Sequence, residues 1–300
     1  MTTTSRQERR SRTRPRATAS AAIRSVLRNL ANWLREAADG ELSVKALHEL
    51  RIATRRAEAA LQLCQDAADG RAARWLQRRL KTLRRACNDA RDDDVLCQWI
   101  QRHGKSSSSK SLRQAIRTHR AEVQPRIVEL ARRLSDKHRF ERRSNKVLKQ
   151  LRVCERQGQI AQAFGRRLFA EVYHFVKALP AQREDASALH RLRIIGKRLR
   201  YASELVTEIW PDVALVELNE HLHVLQDRLG AIHDHIVGTR RLRQRSQDRS
   251  SRTVRPLVQK AQGTAVRLQR NFWRWWQASP IERMLADTTA EVLTLMNQTP

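Results

Sequence analysis

One arrangement of cationic residues occurs twice in this sequence, and its side chains suit phosphate binding. The repeated set is His48, Arg51, Arg55 and Arg56 in the first copy, and His190, Arg193, Lys197 and Arg198 in the second. An Arg guanidinium is a planar fork that can donate two hydrogen bonds to one phosphate, whereas a Lys ammonium acts as a point charge. The pattern therefore favours a phosphate-bearing partner over a merely acidic protein.

The two copies belong to a longer repeat with a constant offset of 190 − 48 = 142 residues. The same offset pairs Leu80 with Leu222 and Asp92 with Asp234. Solenoid repeats are about 20–50 residues long, so this period indicates a duplicated unit instead. We predict two pseudo-symmetric halves, residues 20–145 and 146–300, whose cationic helices could face a shared cleft or channel. For residues 1–19, a disordered basic tail is favoured over an organelle transit peptide.

The composition limits both the partner and the fold. The chain has 60 Lys and Arg residues against 31 Asp and Glu residues, a formal net charge of +29, and so calls for an anionic partner. Only nine Gly and seven Pro occur in 300 residues, and helical periods dominate, so we predict an all-α fold of two antiparallel helical bundles. The four cysteines show no CxxC spacing, which argues against a zinc site or a disulfide framework.

The first motif helix is expected to separate charge from apolar residues. At 100° per residue, His48, Arg51 and Arg55 lie within about 60° of one another, with Arg56 at the shoulder of this stripe. The other side consists of Leu50, Ala53, Ala57 and Leu61, which can pack inward and hold the cations in position. A further helix begins near Trp75 and is predicted to end in the acidic run at residues 88–94. The last predicted helix spans residues 281–296.

Less specific interpretations compete with a phosphate site. A single arginine stripe is usually a solvated face or a set of salt bridges, here with Asp92 or Asp234, and the repetition of the pattern lowers the weight of that interpretation. The histidines are more often structural than ligand-binding. His221, His223, His233 and His235 do not form a convincing metal site, since an H-x-H pair on a helix diverges by about 200°. Trp273, Trp275 and Trp276 are expected to pack in the core more than to stack on bases.

The strings HELRIATRR from His48 and HRLRIIGKRLRYASEL from His190 resemble the paired signatures of the CHAD domain, the conserved histidine α-helical domain. Arg91-Asp92 and Leu229 to Asp234 resemble its later elements, with His233 standing where the first half has Arg91. The resemblance implies two helical bundles, a basic central surface and binding of long-chain inorganic polyphosphate. It assigns binding to these residues: Arg51, Arg55, Arg56, Arg193, Lys197, Arg198 and Arg200, with His48, His190 and Tyr201 beside them and Arg91 less firmly.

From these features we expect a non-enzymatic protein without metal or cofactor that binds polyphosphate. The CYTH barrel often attached to CHAD domains needs strands and an acidic and basic ExExK-type cluster, and neither is visible. The alternative is general binding of DNA or RNA, which the net charge alone would support through counterion release. No apolar run approaches the roughly 18 residues of a membrane span. We therefore expect a cytoplasmic protein, with polyphosphate granules as a candidate location.

Overall fold

The computed structural model describes residues 17–40, 42–68, 70–104, 107–180, 186–246 and 251–297. Its helices are α1 (Ala19–Ala38), α2 (Val44–Leu63), α3 (Gly70–His103), α4 (Ser107–Ser135), α5 (Arg139–Arg156), α6 (Ile160–Lys177), α7 (Ala186–Ile209), α8 (Val213–Ser246), α9 (Ser251–Gln277) and α10 (Ile281–Met296). Short 3-10 turns follow α2 at Cys64–Asp66 and α4 at Asp136–His138. No strand occurs within the described ranges, so the all-α prediction is confirmed.

Side-chain caps fix where the first two helices begin. The Thr18 hydroxyl accepts a hydrogen bond from the Ala21 amide at 3.2 Å, and the Ser43 hydroxyl accepts one from the Ala46 amide at 3.0 Å. Each cap gives an amide of the first turn a side-chain acceptor. The predicted inward face of α2 is confirmed, because Leu50, Ala53, Ala57 and Leu61 are all buried.

The sequence pattern predicted that α3 ends in the acidic run at residues 88–94. That prediction is wrong, because the helix continues through the run to His103. Asp93 is fully buried and contacts His119 Nδ1 of α4 at 2.6 Å and Arg241 Nη1 of α8 at 3.0 Å. Asp94 pairs with Arg120 of α4 at 3.3 Å. Cations on two other helices thus compensate the carboxylates, and the helix can pass through an acidic stretch without exposing it.

The main hydrophobic core draws residues from α1 to α8 and from the two terminal helices, and a smaller cluster joins α3, α4, α8 and α9. Within this arrangement α2 packs against α7, and α3 packs against α8. The two predicted motif helices are therefore neighbours. None of the described helices combines the length and the apolar character needed to cross a bilayer.

The predicted two halves stay a prediction, although the helix bounds agree with the offset. Adding 142 to the bounds of α3 gives 212–245, and α8 spans Val213–Ser246. Adding 142 to the bounds of α5 gives 281–298, and α10 spans Ile281–Met296, the range predicted for the last helix. The predicted boundary at residues 145 and 146 falls inside α5, whereas the chain leaves a helix after Arg156. Of the predicted tail, residues 1–16 lie outside the described ranges.

Candidate anion-binding site

The predicted cations of α2 and α7 meet where these helices pack together. Arg51 and Arg55 of α2 and Arg193 and Lys197 of α7 are all partly buried, and we call these four residues the central cluster. Buried apolar residues on the inward faces, including Leu50 of α2 and Leu192 and Leu199 of α7, hold both helices in register. The cationic side chains are therefore fixed on a rigid framework and not on a loop.

The pKa of Lys197 shows that the positive charges of the cluster lie close together. Burial lowers the pKa of its ammonium from 10.5 to about 6, and the guanidinium groups of Arg193, Arg55 and Arg51 add to the effect. Since three of the four cluster residues act on one amine, the cluster is a single electrostatic unit. At neutral pH the amine of the unliganded protein is mostly uncharged.

The arginines of the cluster also have lowered pKa values. Burial lowers the pKa of Arg51 to about 10, and Arg55 is the next largest cause. Burial also lowers the pKa values of Arg55 and Arg193. Like charges held close together in a partly buried place cost free energy unless an anion compensates them. The arrangement therefore suits a negatively charged ligand.

Several donors around the cluster are buried without a protein acceptor among the described residues. They are Arg51 Nη1, Arg193 Nε and Arg200 Nε. A buried donor left without an acceptor costs about 1–3 kcal/mol. Oxygen atoms of a bound anion would supply the missing acceptors at all three positions.

Two carboxylates flank the cluster, Asp92 on α3 and Asp234 on α8. Burial raises the pKa of Asp92, while Arg241 and Arg51 oppose that rise. Asp92 is also occupied by Arg241, whose Nη2 donates to it at 2.9 Å. Burial likewise raises the pKa of Asp234, against the effects of Arg193 and Arg91. Two partly buried acids balance only part of the cluster's charge, so a net positive site remains.

The two motif histidines are exposed and lie at the margin of the cluster. Burial, followed by Arg91, lowers the pKa of His48. His190 stacks on His233 of α8 with ring centroids 5.1 Å apart and an interplanar angle of 23°. Burial and then Arg193 lower the pKa of His233 to about 4, so this ring is neutral at pH 7. Burial and then Arg193 also lower the pKa of His190. The stacking contact of His190 is made within the protein, which fits the structural role expected for it.

Arg200 and Tyr201 extend the cluster along α7. The Arg200 guanidinium lies 4.3 Å from the centroid of the Tyr201 ring, within the range of a cation–π contact. Arg200 Nη1 also donates to Glu204 at 2.6 Å. Arg200 still contributes to the lowered pKa of Lys197. It therefore belongs to the positive field, with one donor already engaged.

Two other predicted binding residues, Arg56 and Arg198, are more exposed than the central cluster. Arg198 Nη2 donates to Glu171 of α6 at 2.8 Å, and Glu171 also accepts from Gln62 of α2 at 2.7 Å. Arg198 thus joins α2, α6 and α7 as an ion-pair partner. Arg56, at the matching position 198 − 142 = 56, is exposed. The spacing pattern predicts both as binding residues. Each follows a cluster residue directly in the sequence and is therefore about 100° around its helix from it.

The tryptophans that could have stacked on bases pack as expected for core residues. Trp273, Trp275 and Trp276 are half-buried and pack against the main core, and Trp275 stacks on His221 with centroids 4.8 Å apart. Throughout the part of the chain that the structure describes, no group of three or more His, Cys, Asp or Glu residues is placed to hold a metal ion.

Sequence reasoning missed two neighbours of the site. Arg240 of α8 lowers the pKa values of both His190 and His233, which places its charge at the same margin. Arg84 of α3 lowers the pKa of Arg55 and is itself paired with Glu58 at 2.8 Å. Neither is repeated at the offset of 142, where Gln98 and Gln226 stand, so the repeat gave no signal for them.

Comparisons with known proteins agree with the geometry. The family model described as the CHAD domain matches residues 17–243. The crystal structure of the CHAD domain from the plant Ricinus communis is 22% identical with a TM-score of 0.61, over 94% of this chain and 93% of that one. PptA from Streptomyces chartreusis is 16% identical with a TM-score of 0.56, over 86% and 98%. These two similarities show a shared fold alone. No curated protein matches this chain.

Proposed function

Because this chain belongs to the CHAD domain family, we propose that it binds long-chain inorganic polyphosphate through the central cluster, without catalysing a reaction. The family is associated with polyphosphate-related proteins. The observation that carries the proposal is the convergence of Arg51, Arg55, Arg193 and Lys197 at one place, with unpaired buried donors beside them. Phosphate oxygens would accept from these donors, and their charge would offset the repulsion among the cations.

The depth of the cluster favours polyphosphate over nucleic acid. A polyphosphate chain is narrow and carries a negative charge on every unit, so successive phosphates can approach partly buried guanidinium groups. The phosphates of DNA or RNA are separated by sugars and bases, which are bulky and need stacking or groove contacts for tight binding. Tyr201 is the one aromatic residue of the motif helices beside the cluster, and the Trp273 to Trp276 group packs against the core. Nucleic acid is therefore the second candidate. Cytoplasmic polyphosphate granules are the location that we propose with this function.

A competition titration tests the ligand class. Labelled long-chain polyphosphate is displaced at about 0.15 M salt by unlabelled polyphosphate, duplex DNA or single-stranded RNA, matched by phosphate concentration. We expect polyphosphate to compete about a hundredfold better than either nucleic acid. Equal competition would mean a general polyanion surface and would move nucleic acid to first place.

A pair of matched variants tests the location. Arg193→Gln with Lys197→Gln removes one guanidinium and one amine of the central cluster, and Arg28→Gln with Arg283→Gln removes two exposed cations on α1 and α10. We expect the first pair to weaken polyphosphate binding by about a hundredfold, since each charge-assisted contact is worth roughly tenfold or more. The control pair should stay within about twofold of wild type. Equal losses in the two pairs would refute a dedicated site.

A further inference from the structure

A second cationic cavity lies between α3 and α5. Its volume is about 390 Å³, and it is lined by Trp75 of α3 and by Arg139, Arg142, Arg143 and Lys146 of α5. The α5 residues recur at i, i+3, i+4 and i+7, so all four lie on one face of that helix. Trp75 precedes Arg84 by nine residues and is therefore about 180° around α3 from it. Because Arg84 faces the central cluster, the cavity is on the other side of α3.

An adjoining cavity of about 360 Å³ gives the site an apolar end. It is lined by Trp75, Arg79, Leu130, Arg133, Leu134 and Arg139. Trp75 and Arg139 line both cavities, so the two adjoin at these side chains. One end thus offers an indole and two leucines, and the other offers guanidinium and ammonium groups. A ligand that fits both ends has a flat apolar part joined to an anionic part.

The cations at the polar end are available to a ligand. Arg133 pairs with Glu129 at 2.5 Å, and Arg139 pairs with Asp136 at 3.4 Å. Within the described ranges, Arg142, Arg143 and Lys146 have no carboxylate partner. No carboxylate of the described ranges therefore compensates their charges, whereas Asp92 and Asp234 balance part of the charge of the central cluster.

The Trp75 ring carries two guanidinium groups that a ligand would have to move. The guanidinium carbons of Arg143 and Arg79 lie over the ring, 5.3 Å and 5.7 Å from its centroid. These distances are near the outer limit of a cation–π contact, about 6 Å, and longer than the 4.3 Å between Arg200 and Tyr201. A base that stacks on the indole would take the place of one of these loosely held guanidinium groups, which could then turn to the phosphates.

The site is a local feature of this part of the chain. At the offset of 142, the residues matching Trp75 and the α5 cations are Glu217, Ile281, Met284, Leu285 and Thr288. The corner that joins α4 to α5 is unusual as well, because Lys137 and His138 have φ values of 47° and 53°. This left-handed conformation costs free energy for residues other than glycine. It turns the chain so that the cationic face of α5 meets Trp75.

We propose that this double cavity binds a nucleoside triphosphate. The base would stack on Trp75 with Leu130 and Leu134 around it, and the phosphates would accept hydrogen bonds from Arg142, Arg143 and Lys146. An aromatic ring joined to a short phosphate chain matches both ends of the site, whereas inorganic polyphosphate leaves the apolar end empty. The site is separate from the central cluster, and the proposal stands independently of polyphosphate binding there.

The test is calorimetric titration of the full chain with ATP at about 0.15 M salt. Arg142→Glu with Lys146→Glu should weaken ATP binding by about a hundredfold, since two charge-assisted contacts are lost. Both side chains are exposed, so the fold should tolerate the change. Trp75→Leu should weaken binding by about tenfold through lost stacking, and Trp75→Phe should restore most of that loss. The control pair Arg28→Glu with Arg283→Glu should change ATP binding by less than about twofold.

Further titrations distinguish a nucleotide site from a site for other ligands. These titrations use the variant Arg193→Gln with Lys197→Gln, because the central cluster of the wild type is itself proposed to bind phosphate chains. In this variant ATP should still bind, and adenosine and inorganic triphosphate should each bind about tenfold or more weakly than ATP, because each fills one end of the site. Triphosphate binding as tight as ATP binding, Trp75→Leu without effect, or loss of ATP in the Arg193 and Lys197 variant would overturn the proposal. Tighter binding of single-stranded RNA through the same residues would also overturn it.

Discussion

Polyphosphate binding should take up a proton at Lys197. In the free protein the pKa of this amine is about 6, against 10.5 for an ordinary lysine. Phosphates bound beside it would stabilise the ammonium and raise the pKa. At pH 7 about 10% of the free protein carries this proton, and at pH 8 about 1% does. Binding must therefore supply the missing proton, and affinity should fall by about ninefold from pH 7 to pH 8.

The sign of this effect follows from the lowered pKa. Lys197 is half protonated at about pH 6 and almost fully protonated at about pH 5, where binding has no proton left to supply, whereas well above pH 6 each pH unit costs up to about tenfold in affinity. The histidines near the cluster have pKa values below 6.5, which keeps most of their titration outside the chosen pH range. Lys197→Arg introduces the residue found at the matching position, 197 − 142 = 55, and it stays charged.

The assay is anisotropy of labelled polyphosphate between pH 7 and pH 8.5, with calorimetry in two buffers of different ionisation enthalpy to count protons. Wild type should take up about one proton at pH 8. Lys197→Arg should show little pH dependence and tighter binding than wild type at pH 8, and Lys197→Met should show little pH dependence and weaker binding. A wild-type affinity that changes less than about twofold between pH 7 and pH 8, or a variant that keeps the full slope, would refute the reasoning.

Three further predictions concern stability. Arg193→Gln removes one of the crowded charges, so its melting temperature should rise by about 2 °C or more while polyphosphate affinity falls, and a lower melting temperature would contradict the charge-crowding argument. Asp93→Ala removes the carboxylate that contacts His119 and Arg241, and chemical denaturation should show a loss of about 3 kcal/mol, with a loss below about 1 kcal/mol counting against a buried clamp. Both polar atoms of the Gln226 side chain are buried without a partner among the residues that the structure describes, so Gln226→Leu should stabilise the protein by about 1 kcal/mol, and a destabilised variant would mean that the amide has a partner.

Local pattern was enough to predict the helices and the side of α2 that faces the core. The range of α10 and the burial of Leu50, Ala53, Ala57 and Leu61 depend on periodicity within one segment. The acidic run was misread because the partners of Asp93 lie far along the chain, at His119 and Arg241. Adjacent carboxylates suggest a solvent-exposed helix end. They can instead be buried within a helix when cations from distant parts of the chain pair with them.

The composition of the central cluster was also largely predictable, whereas its limits were not. Repetition at a constant offset singled out Arg51, Arg55, Arg193 and Lys197, which the packing of α2 on α7 brings together. Arg198 was included because its spacing matched, and only the position of Glu171 shows that it faces α6. One half of the Trp75 cavity can be recognised in the sequence, namely the cations of α5 at i, i+3, i+4 and i+7. Its aromatic half comes from α3, more than sixty residues earlier, and only tertiary packing joins them.

Under the proposed function, the partly compensated charge of the central cluster would connect the supply of ligand to the lifetime of the protein. A ligand that binds only the folded chain stabilises it in proportion to the logarithm of ligand concentration over Kd. In a cell rich in polyphosphate, the chain would rarely open. When polyphosphate runs out, the repulsion between α2 and α7 returns, the open fraction grows, and proteases reach the backbone more often. We therefore expect the cellular half-life of this protein to shorten as polyphosphate is depleted, and its abundance to follow the phosphate reserve.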